Sequence, residues 1–377
     1  MNQKIVISAG EASGDLHAAN LVKELKQINP HVKVKAMGGD KLRAAGAEVV
    51  LDCKELAVMG LVEVLLNYRK LKAALTFMQE QVIKEKPDLL ILVDYQEFNN
   101  KLAQTAKQHG IKVLFYIGPQ VWAWRPNRVY KMKERVDMMA VLFPFEVEFY
   151  QKANVPVTFV GNPLVDEVKA NKDKIDLISG YGLEATKPIV GLLPGSRRSE
   201  LKRILPIQLE AARKLKNQKP QLQFVLAVAS TLELEEVQSF CKNYQDLNIK
   251  LIQDLSYNVM SVCDAMIVAS GTATLEAGLM GIPSVIVYHM SPISYAILSR
   301  LISIEWVGLV NIVAQKLIMK ELIQGNAKPQ KIADEICELL DNASYRQNML
   351  DELASIKNKL GVGGGSRKVA QLANSML

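Results

Sequence analysis

Short, nearly unbroken apolar runs recur along the first half of the chain at residues 4–8, 32–37, 89–93, 113–117, 138–142 and 157–160. Between most of them, apolar residues return every three or four positions. Runs of this length without alternation predict strands buried on both faces, and the intervening period predicts helices. Strands and helices in alternation predict a parallel sheet covered on both sides. A polar stretch over 169–187 reads as a linker. A second series follows at 189–193, 223–228, 249–252, 265–269 and 284–288, again with helical spacing between the runs. Past Pro292 the pattern is helical, at 294–303, 329–341, 345–360 and 367–375, with the break Gly361-Val-Gly-Gly-Gly365 before the last helix. The expected architecture is α/β, with two doubly wound, Rossmann-like parallel-sheet domains facing a cleft. Their expected bounds are 1–168 and 187–345. Residues 346–377 form C-terminal helices that cross back to the first domain or to a partner subunit.

A length of 377 residues suits two cores rather than one. The formal charge of +7 asks for an anionic partner. Only 6% of residues are aromatic, and no RNA-recognition or zinc-finger pattern occurs, so nucleic acid is not the expected partner. Cys53, Cys241, Cys263 and Cys337 form no Cys-x-x-Cys pair, which fits a reducing cytoplasm. The four histidines show no His-x-x-x-His spacing, and Asp-x-Asp is absent, so no cofactor and metal-independent chemistry are expected. Residues 1–8 lack the pattern of a signal peptide. The uncharged run after Glu276 is broken by Gly278, Gly281, Pro283 and Pro292, which argues against a membrane span.

Candidate chemistry gathers where predicted strands end. The run 189–193 leads through Pro194, Gly195, Ser196, Arg197 and Arg198 into a helix-periodic segment. Free N–H groups at a helix start, a glycine permitting close approach and two guanidinium forks can hold an anion; a solvated basic turn is the plainer reading. Ser270, Gly271 and Thr272 repeat the strand-turn-helix arrangement. Glu276 follows one turn later, where a carboxylate can accept both hydroxyls of a ribose, and Asn311 is assigned to the same donor side. Two such turns point to a nucleoside diphosphate. In the first domain, Gly10, Glu11, Ser13, Gly14 and Asp15 form a loop whose acid would repel phosphate. They are assigned to an acceptor or cleft wall, together with Asn99. Asp94 stands where a strand ends, as a helix cap or as a general base. Gln120, Trp122, Trp124 and Arg125 lie in a proline-flanked loop suited to facing a ligand. Leu61, Val62, Leu65 and Leu66, with Arg69, Lys70 and Lys72, fit either a core helix or an interfacial helix resting on an anionic membrane.

Ser8-Ala-Gly-Glu-Ala-Ser-Gly-Asp15, Leu56-Ala-Val-Met-Gly60, Gly118-Pro-Gln-Val-Trp-Ala-Trp-Arg125, Leu193-Pro-Gly-Ser-Arg197 and Ser270-Gly-Thr-Ala-Thr-Leu-Glu276, in this order, resemble the bacterial lipid-A-disaccharide synthases. The resemblance implies a GT-B, UDP-sugar-dependent glycosyltransferase of lipid A and lipopolysaccharide biosynthesis. It would join UDP-2,3-diacylglucosamine to 2,3-diacylglucosamine 1-phosphate, making a β(1→6) disaccharide and UDP. Asn162 departs from the Gly-His-Pro of many relatives, and Tyr95-Gln96-Glu97 from their shorter versions. With the family goes a peripheral place on the cytoplasmic face of the inner membrane. The glycine break makes a homodimer with exchanged terminal helices conceivable. Asp94 is expected to take the proton of the acceptor hydroxyl, with Glu11 as the alternative. Another UDP-sugar enzyme sharing the fold, such as an N-acetylglucosaminyltransferase or a non-hydrolysing epimerase, and a nucleotide-responsive lipid-surface binding protein are the competing readings.

Overall fold

In a computed structural model of the chain, residues 3–56, 68–123, 126–291, 295, 296, 300 and 304–377 are described. They divide into one unit of Met1–Pro163 with Leu360–Leu377 and a second of Leu164–Lys359. In the first, β1 (Lys4–Ala9), β2 (Lys33–Gly38), β3 (Glu48–Asp52), β4 (Leu89–Val93), β5 (Lys112–Tyr116), β6 (Met138–Val141) and β7 (Val157–Phe159) form one parallel sheet in the order β3-β2-β1-β4-β5-β6-β7. In the second, β8 (Ile189–Leu193), β9 (Gln223–Ala227), β10 (Lys250–Ile252), β11 (Ala265–Ala269), β12 (Ser284–Tyr288) and β13 (Glu321–Ile323) take the order β10-β9-β8-β11-β12-β13. Each order reverses once, between β1 and β4 and between β8 and β11. The connections on the two sides of such a point diverge, which leaves the carboxyl ends of the two strands uncovered.

Strand periodicity sorts the first core into two layers. Ile5 and Ile7 face the helices Ala12–Ile28 and Gly365–Met376, whereas Val6, Leu90 and Leu92 face the helices Tyr68–Glu85 and Gln96–Gln108. The last helix therefore belongs to the first unit, where Val369, Ala370 and Ala373 are fully buried. Its approach explains the glycines before it. A Cβ on Gly365 would lie 3.2 Å from the Gly161 carbonyl oxygen, and Gly361, Gly363 and Gly364 have φ of +98°, +84° and +69°.

Three expectations are corrected. The segment 169–187 is not a bare linker: Asp173 accepts the Ile175 N–H at 2.8 Å and starts the helix Lys174–Gly180, whose Leu177 and Ile178 are buried. The unit boundary falls at Pro163 rather than 168, and the helix Ala343–Lys359 stays with the second unit, so only the final helix crosses back. The strands β3 and β13 had no counterpart in the pattern because charged residues cut their apolar runs short, Glu48 and Asp52 at the two ends of β3 and Glu321 at the start of β13. Among the described residues, no helix is long and apolar enough to cross a membrane.

Substituting Ala370 by Asp puts an unpaired carboxylate into the contact between the first and last helices. A loss of about 3 kcal/mol or more is expected, read as a lower urea midpoint of the full-length chain. An unchanged midpoint would mean that the last helix does not hold the first unit together.

Candidate active site

In the first unit, Ala9 and Val93 are register partners at the ends of β1 and β4. Gly10 and Glu11 follow the first, Asp94 and Tyr95 the second. Asp94 and Tyr95 have φ of +52° and +48°, a left-handed backbone that costs non-glycine residues about 1–3 kcal/mol each. The buried Asn99 side chain holds this bend. Its Nδ2 donates to the carbonyls of Asp94 (2.7 Å), Ser8 (3.3 Å) and Val93 (3.3 Å), and its Oδ1 accepts from Ser8 Oγ at 2.6 Å. The Tyr95 ring lies where a Gly10 side chain would be, since a Cβ there would sit 2.2 Å from Tyr95 Cδ1. Burial raises the Asp94 carboxyl above its usual range, against a lowering by the Tyr95 N–H. Glu11 is exposed, and its charge adds to burial in raising the Tyr95 hydroxyl.

The remaining residues assigned to the acceptor side divide. Ser13 is exposed and Gly14 is buried at the start of the helix Ala12–Ile28. Asp15 is a structural cap: its carboxylate accepts the N–H groups of Gly39 (2.7 Å), Lys41 (3.1 Å) and Leu42 (3.2 Å) at the start of the helix Asp40–Ala44. Asn99 likewise has partners within the protein, three backbone carbonyls and the Ser8 hydroxyl. Gln120 is exposed. Trp122 does not face a ligand: it is 9% exposed, meets Phe145 edge-on and donates its indole N–H to Glu146 at 3.1 Å. Trp124, Arg125, Leu61, Val62, Leu65 and Leu66 lie outside the described residues. Arg69, Lys70 and Lys72 are exposed on the helix Tyr68–Glu85, which buries Met78 and Val82.

In the second unit, the turns after β8 and β11 emerge side by side, Leu193 being the register partner of Val268. The first turn corrects the expected anion cradle. Glu200, in the first turn of the helix Arg198–Gln218, accepts the N–H groups of Ser196 (3.1 Å) and Arg197 (3.3 Å) in a capping box. Gly195 has φ of +106°, and a Cβ on it would lie 2.3 Å from the Glu200 carboxylate, so the glycine makes room for an internal acid. The Arg197 guanidinium is 3.5 Å from Glu200 and its side chain is 71% exposed, so the charge still faces solvent.

The second turn is open. Ser270 Oγ donates to the Val307 carbonyl, Thr274 Oγ1 fastens the Gly271 carbonyl at 2.8 Å, and Gly271 and Thr272 are exposed at the start of the helix Thr272–Leu279. Glu276 is half-buried, receives the Tyr257 hydroxyl at 3.4 Å, and is raised by burial. Asn311 lies next to this turn, since the N–H of its neighbour Val310 donates to Thr274 Oγ1 at 3.5 Å, but its own side chain has protein partners. It is fully buried, donating to Met319 O and Glu321 and accepting from the N–H groups of Ile318 and Met319.

Sequence reasoning missed three participants. Glu200 was legible as the fourth residue of a capping-box spacing. Tyr95 was noted only as a departure from the family pattern, and nothing marked Tyr257. Among the described residues, no three His, Cys, Asp or Glu side chains gather as a metal ion would require. Chemically, the first unit offers an acid of increased basicity, and the second an exposed cation beside an open helix start.

A family model described as lipid-A-disaccharide synthetase matches residues 5–374. Proteins named lipid-A-disaccharide synthase from Geobacter sulfurreducens and Nitrosococcus oceani are 44% and 47% identical, covering 100% and 99% of this chain and 98% and 96% of their own. Similar solved structures include a UDP-GlcNAc 2-epimerase from Neisseria meningitidis bound to UDP-GlcNAc (TM-score 0.67, 14% identity, covering 99% of this chain and 100% of that one). The glycotransferase of kitacinnamycin is another (TM-score 0.63, 15% identity, 100% and 99% covered). At such identities these two speak for the shared GT-B fold alone. The sequence relatives speak for more: matched over nearly its whole length by the family model and by relatives of this identity, the chain belongs to the lipid-A-disaccharide synthetase family.

Proposed function

We propose that the chain transfers 2,3-diacylglucosamine from UDP-2,3-diacylglucosamine to the 6-hydroxyl of 2,3-diacylglucosamine 1-phosphate, with inversion at the transferred carbon. The observation that carries this reading is Asp94, a half-buried acid of raised basicity at the point where the first sheet reverses its order. The acceptor oxygen bonds to C1 as the C1–O bond to the diphosphate breaks, and the hydroxyl proton passes to Asp94. UDP leaves with the bonding pair. Arg197 and the helix start at Thr272 meet the charge that develops on it, an effect worth about 3–4 kcal/mol for a single well-placed donor. Glu276 takes the ribose hydroxyls, with Tyr257 fixing one of its oxygens. Because a guanidinium and a helix start supply positive charge, the reaction is proposed to need no metal and no cofactor.

Both substrates carry acyl chains, so the enzyme must work at a lipid surface. The exposed Arg69, Lys70 and Lys72 support a peripheral contact with the anionic cytoplasmic face of the inner membrane. A homodimer with exchanged last helices would reuse, between subunits, the packing of Val369, Ala370 and Ala373 on the first unit.

Asp94→Asn should retain UDP affinity and lose turnover by about 10²-fold or more, the range for a general base. The base acts ionised and burial raises its pKa, so turnover of the native enzyme should fall as pH drops through a value above the ordinary aspartate range. That limb should be absent from the variant. Near-native turnover would move the role to Glu11. Arg197→Ala should weaken UDP binding about tenfold by calorimetry and slow turnover with it, as loss of a charged hydrogen bond predicts; unchanged affinity would remove Arg197 from the donor site. Flotation with vesicles of anionic lipid should carry the protein up, and vesicles of neutral lipid should carry less. Replacing Arg69, Lys70 and Lys72 by Gln should reduce the anionic binding, by about 1 kcal/mol per charge. No flotation on either lipid would end the membrane proposal.

A further inference from the structure

Glu146 is an acid that the proposed reaction does not use. It stands in the first turn of the helix Pro144–Lys152, which begins just after β6, and it is 5% exposed. One carboxylate oxygen accepts the N–H groups of Phe143 (3.0 Å) and Leu142 (3.2 Å), which is ordinary helix capping. Capping does not require burial, and burying a carboxylate costs several kcal/mol. The second oxygen shows what the burial accompanies: it accepts the indole N–H of Trp122 at 3.1 Å. One helical turn on, the Tyr150 hydroxyl donates to the Pro119 carbonyl at 3.2 Å. Two side chains on one face of this helix thus hold both ends of the turn Pro119–Trp122.

That turn leaves the carboxyl end of β5, whose neighbour in the sheet is β4, the strand that ends at Asp94. The Asp94 N–H donates to the Tyr116 carbonyl at 3.2 Å, so acid and turn are joined through one strand end. Neighbouring strands lie about 4.8 Å apart, which places the turn within reach of the same sugar. Trp122 and Tyr150 point inward, and Gln120 is exposed.

We propose that Glu146 is a positioning residue for the acceptor: through Trp122 it fixes the turn 118–123 as a wall for the acceptor sugar beside Asp94. The proposal rests on the reading of Asp94 as the acceptor's base. The pKa of Glu146, pushed up to about 7 by burial against the lowering of three donors, fits an acid kept in place at a cost.

The test uses the full-length chain and the two lipid substrates, with UDP release as the readout. Trp122→Phe keeps a ring against Phe145 and removes the indole N–H. Glu146→Gln keeps the size, but its amide cannot accept from the helix start and from Trp122 together. Each variant should raise the KM for the acceptor about tenfold. The KM for the UDP-sugar and the UDP affinity by calorimetry should stay native, and the double variant should be no worse than the worse single one. An acceptor KM that stays native overturns the proposal. So does a parallel loss in donor and acceptor constants, the mark of general unfolding. Tyr150→Phe, the milder change, should raise the acceptor KM two- to threefold. If the other variants do not fold, a native acceptor KM in Tyr150→Phe overturns the proposal by itself. Absence of UDP release from the native enzyme would be a failure of the reaction assigned above, separate from all of these outcomes.

Discussion

The first unit depends on the four hydrogen bonds of Asn99. In a parallel sheet that reverses its order, two adjacent strands end side by side with their connections running apart. Asn99 ties the two ends together, donating to the carbonyls of Ser8, Val93 and Asp94 and taking the Ser8 hydroxyl in return. Buried polar groups are held at such cost only when satisfied. The same bonds hold the left-handed bend at Asp94 and Tyr95, since one of them is to the Asp94 carbonyl itself. Fold and candidate chemistry are here one constraint: the residue that ties the strand ends together also holds the backbone that carries the acid.

The second unit meets the equivalent problem with charge. At the end of β8 the open N–H groups belong to Ser196 and Arg197, and the chain fills that place with its own carboxylate, Glu200. An anion binding there would face an acid already seated. What the turn still offers is the Arg197 side chain, whose contact with Glu200 at 3.5 Å is long and largely solvent-exposed and is worth no more than about 1 kcal/mol. A diphosphate can take both forks of a guanidinium and so compete well with that contact. The backbone share of anion binding passes to the neighbouring start of the helix Thr272–Leu279, which is left uncapped by any side chain.

The sheets were largely legible because their strands are buried on both faces: Leu89–Val93 and Ala265–Ala269 are apolar from end to end and contain no exposed residue. Two of the four edges were not, since Glu48 and Asp52 bound the apolar residues of β3 and Glu321 opens β13, which leaves neither with such a signature. The turns of the candidate site were legible too, as small residues at strand ends. The direction of individual polar side chains was not. Asp15 reaches Gly39 and Leu42, Trp122 reaches Glu146, and Asn311 reaches Met319. Each of these residues has the chemistry of a ligand contact, but its partner lies between 8 and 27 positions away along the chain. A residue's type states what it can bind, and only the packing states what has already bound it.

That distinction separates the acids of this chain into two kinds. Asp15 takes three N–H donors, and Glu321 takes two backbone N–H groups and the Asn311 amide, so both are complete without a ligand. Asp94 and Glu276 are withdrawn from water yet meet few donors, the Tyr95 N–H in one case and the Tyr257 hydroxyl in the other, and burial raises both. A carboxylate in that condition gains most from a further hydrogen bond, because its desolvation has already occurred. One such acid stands in each unit, at or one helical turn beyond the point where the sheet reverses. An alcohol brought to Asp94 and a ribose brought to Glu276 would each complete what the protein leaves unfinished. Glu146 shows the limit of the rule: it has three donors and is raised all the same, because at 5% exposure the loss of water outweighs them.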